Sequence, residues 1–162
     1  MNESYLLLGG NLGDVLDTFE KCEQLLLEKV GFILKKSSDY ESPSWGFVDE
    51  NKFINRVVCL TTTLSPQELL ISCLEIEKKL GRKRNDNFDG YCSRVLDIDI
   101  LFYNNITMED TKLYIPHQKL HLRRFTLLPL LEISPDLLHP KFKKSIQHLL
   151  DNCNDKSEVI KL

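Results

Sequence analysis

The sequence predicts an α+β fold with the element order β-α-β-β-α-β up to Tyr103 and further short elements beyond it. Three observations carry this expectation. Short apolar or β-branched runs alternate with two longer segments whose apolar residues recur every three to four positions. Both longer segments carry helix start and stop signals. The connections between them are short and rich in Gly, Pro, Asn and Ser.

The elements follow in order. Tyr5 to Leu8 is a continuous apolar run closed by Gly9-Gly10, which reads as a buried strand. A helix begins near Asn11 or Asp14; Val15, Phe19, Cys22, Leu26 and Val30 share one face. Gly31 then suits a left-handed helix end. Phe32 to Tyr40 reads as one strand, and Ser42-Pro43-Ser44-Trp45-Gly46 as a loop. Phe53 to Thr63 is β-branched and reads as a strand. Ser65-Pro66-Gln67-Glu68 spells a capping box with Pro in the first turn. Leu69, Cys73, Ile76 and Leu80 give that second helix its apolar face, and Gly81 ends it. Arg82 to Arg94 is a polar loop, Val95 to Tyr103 a strand, and Asn104-Asn105 a tight hairpin turn. Pro116, Pro129, Pro135 and Pro140 divide the rest into short pieces. This order is the ferredoxin-like split βαβ arrangement, with helices on one face of a mainly antiparallel sheet. It hosts unrelated activities, so function must come from particular residues.

With 162 residues the chain is expected to form a single domain over 1–162, its polar last stretch, about 152–162, free to fray. Lys+Arg total 21 and Asp+Glu 24, a net charge of −3. This argues against a general nucleic-acid or anionic-membrane binder while leaving room for a local basic pocket. The five cysteines, Cys22, Cys59, Cys73, Cys92 and Cys153, are odd in number and form no CxxC pair. That disfavours a disulfide framework and favours a reducing compartment. No stretch has signal-peptide or membrane-span character. A cytoplasmic monomer is expected.

The most informative segment is Val95-Leu96-Asp97-Ile98-Asp99-Ile100-Leu101-Phe102. Aspartate is disfavoured in strands. At a spacing of two, both carboxylates leave the same face, about 6.5–7 Å apart, with Leu96, Ile98, Ile100 and Phe102 on the other. Two such charges either decorate a solvated sheet face or hold a hard cation such as Mg²⁺. Arg82-Lys83-Arg84 upstream and Arg94 beside the pair suit a triphosphate, since guanidinium groups match phosphate oxygens bidentately. Arg123-Arg124 adds a second cluster near His117. His117 and His121, four apart, lack the pattern of a zinc site. Phe53 with Asn55, and Phe125, are either core or a sandwich for a flat heterocycle whose edge an amide reads. Trp45, alone in its loop, suggests a lid or a ligand contact.

Together these residues resemble the 6-hydroxymethyl-7,8-dihydropterin pyrophosphokinase family of folate biosynthesis over nearly the whole chain. The likeness rests on Gly9-Gly10-Asn11-Leu12-Gly13-Asp14, Ser42-Pro43, Phe53-Ile54-Asn55, Gly81-Arg82-x-Arg84, Arg94 through Leu101, Ile115-Pro116-His117 and Arg123-Arg124-Phe125 followed by Pro129-Leu130. It implies transfer of the β,γ-pyrophosphoryl unit of ATP to the pterin hydroxymethyl oxygen, with release of AMP. It implies that Asp97 and Asp99 hold two Mg²⁺ ions and that Arg82 and Arg94 stabilise the group in flight. Glu77, Arg82, Arg84, Arg94, Ile100, Lys112, Tyr114, His117 and Arg123 match nucleotide positions. Ser42, Pro43, Trp45, Phe53, Asn55 and Phe125 match pterin positions, and the loops near 44–51 and 83–93 match mobile lids. The chain departs from the family at Gly90, usually basic, at Cys92, usually Gly or Ala, at Lys112, commonly Arg, and at Phe53, often Tyr. At Gly90 one phosphate contact is therefore either absent or supplied by Arg84 or Lys83. A non-catalytic sensor on the same sheet, or a two-metal nucleotidyl transferase, are the alternatives; the first predicts no ATP consumption, the second release of pyrophosphate.

Overall fold

The computed structural model describes residues 1–82 and 93–162. The elements are β1 (Asn2–Gly10), α1 (Val15–Lys29), β2 (Gly31–Lys36), β3 (Tyr40–Ser42), β4 (Phe53–Thr62), α2 (Pro66–Lys79), β5 (Asp97–Tyr103), β6 (Met108–Glu109), β7 (Tyr114–Ile115), a short 3₁₀ turn (Leu120–Leu122), α3 (Arg124–Ile133), α4 (Ile146–Asp151) and β8 (Ile160–Lys161). The main sheet runs β5-β1-β4-β3-β8, with β2 also on β4, and every pairing in it is antiparallel. This is the ferredoxin-like order, with β1 central.

Both faces of the sheet are covered, which differs from the expected single helical face. Leu6, Leu8, Val58, Leu60, Ile98 and Ile100 pack with Phe19, Leu26, Leu69 and Ile76 of α1 and α2. Tyr5, Leu7, Val57, Cys59 and Leu101 pack on the opposite face with Leu127 and Leu130 of α3 and Ile146 and Leu149 of α4. The uninterrupted apolar runs of β1 and β4 have this physical cause, since a strand buried on both sides need not alternate.

Four further differences are local. The expected strand from Phe32 to Tyr40 is two strands. At the break, Ser37 bonds Val57 through its N–H (2.9 Å) and accepts the Val57 N–H on its hydroxyl (3.0 Å), a side-chain alternative to the ladder. Gly31 is not a left-handed helix end; it opens β2, where a Cβ would run into the Thr61 carbonyl. Asn104 turns back on β1, donating its N–H to Glu3 O (2.7 Å), so β6 pairs with β7 rather than with β5. In β5 a bulge against Tyr5 and Leu6 inserts Leu101, and Phe102 therefore joins the α3/α4 core instead of following Ile98 and Ile100.

Pro129 lies inside α3 rather than ending an element. The tail, expected to fray, is tied down in part: Cys153 is buried and Ile160–Lys161 pairs with Tyr40–Glu41. The capping box of α2 forms as spelled, Ser65 accepting the Glu68 N–H and Glu68 the Ser65 N–H.

Candidate active site

A cavity of about 1100 Å³ opens at the end of the sheet where β1, β4 and β5 present Gly9, Asn55, Asp97 and Asp99. The strand periodicity places these residues on the α3/α4 face. Gly9 sits opposite both Asn55 and Asp97, and a Cβ there would meet Asn55 Oδ1 at 2.7 Å. The glycine lets the amide lie across the strand.

Asp97 and Asp99 lie together on one face, each about a quarter exposed. Arg82 Nη1 and Arg94 Nη1 both bond Asp97, the latter at 2.5 Å. Asp99 has Arg123 Nη1 at 3.9 Å. Burial, reinforced by the Asp97 charge, pushes the Asp99 carboxyl well above the usual carboxylate range, and Arg123 offsets this only in part. Two crowded carboxylates, one of them reluctant to ionise, are the donor chemistry that a hard dication completes. Glu77 of α2 is buried; its Oε2 accepts the Ile98 N–H (2.8 Å) and an Arg82 N–H (3.1 Å). It fixes the backbone between the two aspartates and aims Arg82.

His117 bonds Leu101 O through its own N–H (3.0 Å) and accepts the Lys119 N–H on Nδ1 (3.1 Å). Burial, with the Arg123 charge second, pushes it down to about 4. It is therefore a neutral imidazole whose Nε2–H is its donor. His121 faces elsewhere, edge-on to Phe142 at 4.8 Å, so the two histidines do not share surroundings. His139 stacks on the same Phe142 ring at 4.1 Å.

On the other side of the cavity stand Ser42, Pro43, Trp45, Phe53, Asn55 and Phe125. Ser42 Oγ and Asn55 Nδ2 are buried without a hydrogen-bond partner among the described residues. Buried polar atoms are ordinarily paired, so these two await something that enters the cavity. Phe53 meets Phe47 edge-on at 5.8 Å. The Arg123 guanidinium lies 4.7 Å from the Trp45 ring and 5.6 Å from that of Phe125. Trp45, read as a lid or a ligand contact, is thus folded against the site.

Of the residues read from sequence, Glu77, Arg82, Arg94, Asp97, Asp99, Ile100, Lys112, Tyr114, His117 and Arg123 all line the cavity with the six above. Arg84, the departures at Gly90 and Cys92, and nearly all of the second lid lie outside the described residues. Sequence reasoning missed Leu70, Leu74, Phe47, Gln118 and Lys119 as lining residues. Leu70 and Leu74 carried a signal: an i,i+4 apolar pair off the core stripe of α2. Asn11 was read as a possible helix start and as part of the opening motif, with no side-chain role. Its amide instead joins Arg94, Asp49 and Asn51.

An acidic pair ringed by guanidinium groups, continuous with an aromatic pocket that holds unmatched polar atoms, has the chemistry suited to an enzyme that moves a phosphate-type group onto a flat heterocyclic partner. A family model for 7,8-dihydro-6-hydroxymethylpterin-pyrophosphokinase (HPPK) matches residues 5–135. The 2-amino-4-hydroxy-6-hydroxymethyldihydropteridine pyrophosphokinase of Aquifex aeolicus is 39% identical over 148 residues, covering 88% of this chain and 87% of that protein. The folic acid synthesis protein of Schizosaccharomyces pombe is 35% identical over 149 residues, 91% of this chain but 20% of that much longer protein. Among solved structures, Plasmodium falciparum HPPK-DHPS with pteroate superposes with a TM-score of 0.76 at 18% identity, covering 93% of this chain and 44% of that one. The last likeness concerns the fold. The chain belongs to the HPPK family of pyrophosphokinases.

Proposed function

We propose that this chain transfers the β,γ-pyrophosphoryl unit of ATP to the hydroxymethyl oxygen of 6-hydroxymethyl-7,8-dihydropterin, releasing AMP, as a step of folate synthesis. The observation that carries the reading is the two-sided cavity: Asp97, Asp99 and the arginines at one end, Ser42 Oγ and Asn55 Nδ2 at the other. Its volume, about 1100 Å³, slightly exceeds the usual single-ligand range of about 300–1,000 Å³, as two co-substrates require.

Asp97 and Asp99 would hold two Mg²⁺ ions, with phosphate oxygens and water as the remaining ligands. When bound, the ions supply charge neutralisation and activation of the attacking hydroxyl. The chain's own residues do the rest. Arg82 and Arg94, now on Asp97, are placed to turn their donors onto the pyrophosphoryl oxygens. His117 offers Nε2–H to a phosphate. Leu70, Leu74 and Ile100 give the purine an apolar bed, with Lys112, Tyr114 and Arg123 around the nucleotide. Phe53 and Phe125 stack on the pterin, while Ser42, Asn55 and the Pro43–Trp45 segment match its polar edge. Transfer of this kind demands in-line positioning and charge stabilisation more than covalent help.

The chain acts as one domain over 1–162, as a monomer, in the cytoplasm, on small molecules. The cysteines at 22, 59, 73 and 153, all buried free thiols, support a reducing compartment. The deciding experiment incubates the protein with ATP, Mg²⁺ and the pterin alcohol. AMP and pterin diphosphate are expected. Release of inorganic pyrophosphate would indicate nucleotidyl transfer, and binding without ATP consumption a sensor; either result overturns the proposal.

A further inference from the structure

The helix α3 begins beside the cavity, and its start is unusual. Its N-cap is Arg123, which makes no side-chain capping bond and whose guanidinium instead faces Trp45 and Phe125. Four N–H groups at a helix start need acceptors; the Arg123 carbonyl takes the Thr126 N–H (3.1 Å), but an arginine side chain has no acceptor to give. One acceptor comes from far along the chain: Asp155 Oδ2 takes the Arg124 N–H at 3.1 Å. Its other oxygen is held by the Ser157 N–H (3.0 Å) and hydroxyl (2.6 Å). Burial pushes the Asp155 carboxyl up, but the Ser157 and Arg124 bonds and the Arg124 charge prevail, so it is held below the usual range. A charged acceptor here also complements the positive end of the helix.

From Asp155 the chain runs the length of α3 and ends on the opposite wall of the site. Lys161 Nζ reaches Glu132 of α3 at 3.2 Å. Ile160–Lys161 pairs with Tyr40–Glu41, and the Leu162 N–H bonds Asp39 O at 2.8 Å. Arg124 and Glu132 are about 12 Å apart along a helix, and six residues of chain reach about 20 Å, so the span is easily made. Glu132 in turn accepts the Ser38 N–H (2.6 Å) and the Tyr40 hydroxyl (3.1 Å). The strand β3 so clamped carries Ser42 and pairs with Phe53 and Asn55. Before Asp155, buried Cys153 anchors the segment in the α3/α4 core.

We infer that the segment from Cys153 to Leu162 positions the heterocycle half of the site, with Asp155 as its positioning residue, by tying α3, which carries Phe125, to β3, which carries Ser42. This rests on the assignment of that half to the pterin. Among the described residues the segment bonds neither Asp97 nor Asp99, and its one link towards them runs through Arg123, the neighbour of Arg124, so its effect falls mainly on the heterocycle half.

The test measures pterin affinity and nucleotide affinity separately, with a non-hydrolysable ATP analogue, in the full chain and in Asp155→Ala, Asp155→Asn and a truncation after Ser157. Asp155→Ala is expected to raise the pterin Kd about five- to tenfold, the effect of one lost cap, and to leave the nucleotide Kd within about twofold. Asn keeps one acceptor for the Arg124 N–H but turns its NH2 towards the Ser157 donors, so Asp155→Asn should restore affinity in part. The truncation removes β8 and should also weaken the pterin selectively. Unchanged pterin affinity in the alanine variant or the truncation, equal weakening of both ligands, or an asparagine variant as impaired as the alanine one would overturn the inference. If the unsubstituted chain binds nucleotide but no pterin, the assignment of the pocket fails and the inference with it. If it binds the pterin and the variants match it, only the inference fails.

Discussion

Asn11 and Arg94 grip each other twice. The Asn11 N–H donates to Arg94 O at 3.0 Å, and the Arg94 N–H donates to Asn11 Oδ1 at 2.8 Å. The remaining end of the same amide donates to Asp49 Oδ2 (3.0 Å) and Asn51 O (3.2 Å). Ser93 closes the ring by bonding Asp49. One side chain thus registers the loop carrying Trp45 against the backbone that aims Arg94. Asn11→Asp keeps the acceptor for Arg94 but sets an oxygen against Asp49. It should lower kcat about 10–100-fold through misplacement while costing about 1–3 kcal/mol of stability or less. Steady-state kinetics and thermal melting check this; unaltered turnover would remove the amide from any coupling role.

Asp97→Asn and Asp99→Asn should each reduce turnover about 100-fold or more, because the proposed metal clamp would contribute charge stabilisation that an amide cannot. The fold should survive, since both side chains are partly exposed at the cavity. Circular dichroism and AMP release measure the two outcomes. Near-normal activity in both variants would defeat the metal assignment.

Arg94→Ala should slow the transfer step more than it weakens the nucleotide. A loss of about 100–1,000-fold in single-turnover rate is the size expected for one donor to developing charge, against less than about tenfold in Kd. A pure affinity defect with an intact rate would place Arg94 in binding alone.

His139 gives the fold a predictable acid limit. Burial, with His121 and Lys141 adding, pushes it down to about 4. The unfolded chain takes up that proton from about 6.5 downward, and the folded chain refuses it until about 4. Stability is therefore fully present above about 6.5 and lost as pH falls towards about 4, by about 2–3 kcal/mol at most. His117 acts in the same direction. Denaturant titrations across this interval should show the loss, and His139→Gln should flatten part of it; identical slopes in the two proteins would exclude His139 as the cause.

What was legible in the sequence was whatever local chemistry determines. Ser65 and Glu68 announced their box because a cap depends on neighbours a few residues away. Asp97 and Asp99 announced a shared face because strand alternation is local. What stayed hidden depended on partners distant in the chain. The second core beneath α3 and α4 needs Leu127 and Leu130 to meet Tyr5 and Leu7. The Asp155 contact joins residues 31 positions apart. The Ser37 break shows only once Val57 is opposite it. Asn11 carried the faintest signal, since one asparagine looks the same as a helix start or as a three-way bridge.

The extra residue at Leu101 has a consequence for how this strand can change over evolutionary time. Upstream of it odd positions face the cavity and even ones face α1 and α2; downstream the phase is inverted, so Phe102 supports α3 and Tyr103 reaches Leu64 O at 2.7 Å. A single-codon deletion of Leu101 would restore strict alternation and keep the ring and the phenol in their present interiors, at the loss of one buried leucine. A strand shortened at Leu101 alone is therefore expected to build the same two interiors, which makes this position the natural place for a change of length between the acidic pair and the turn at Asn104.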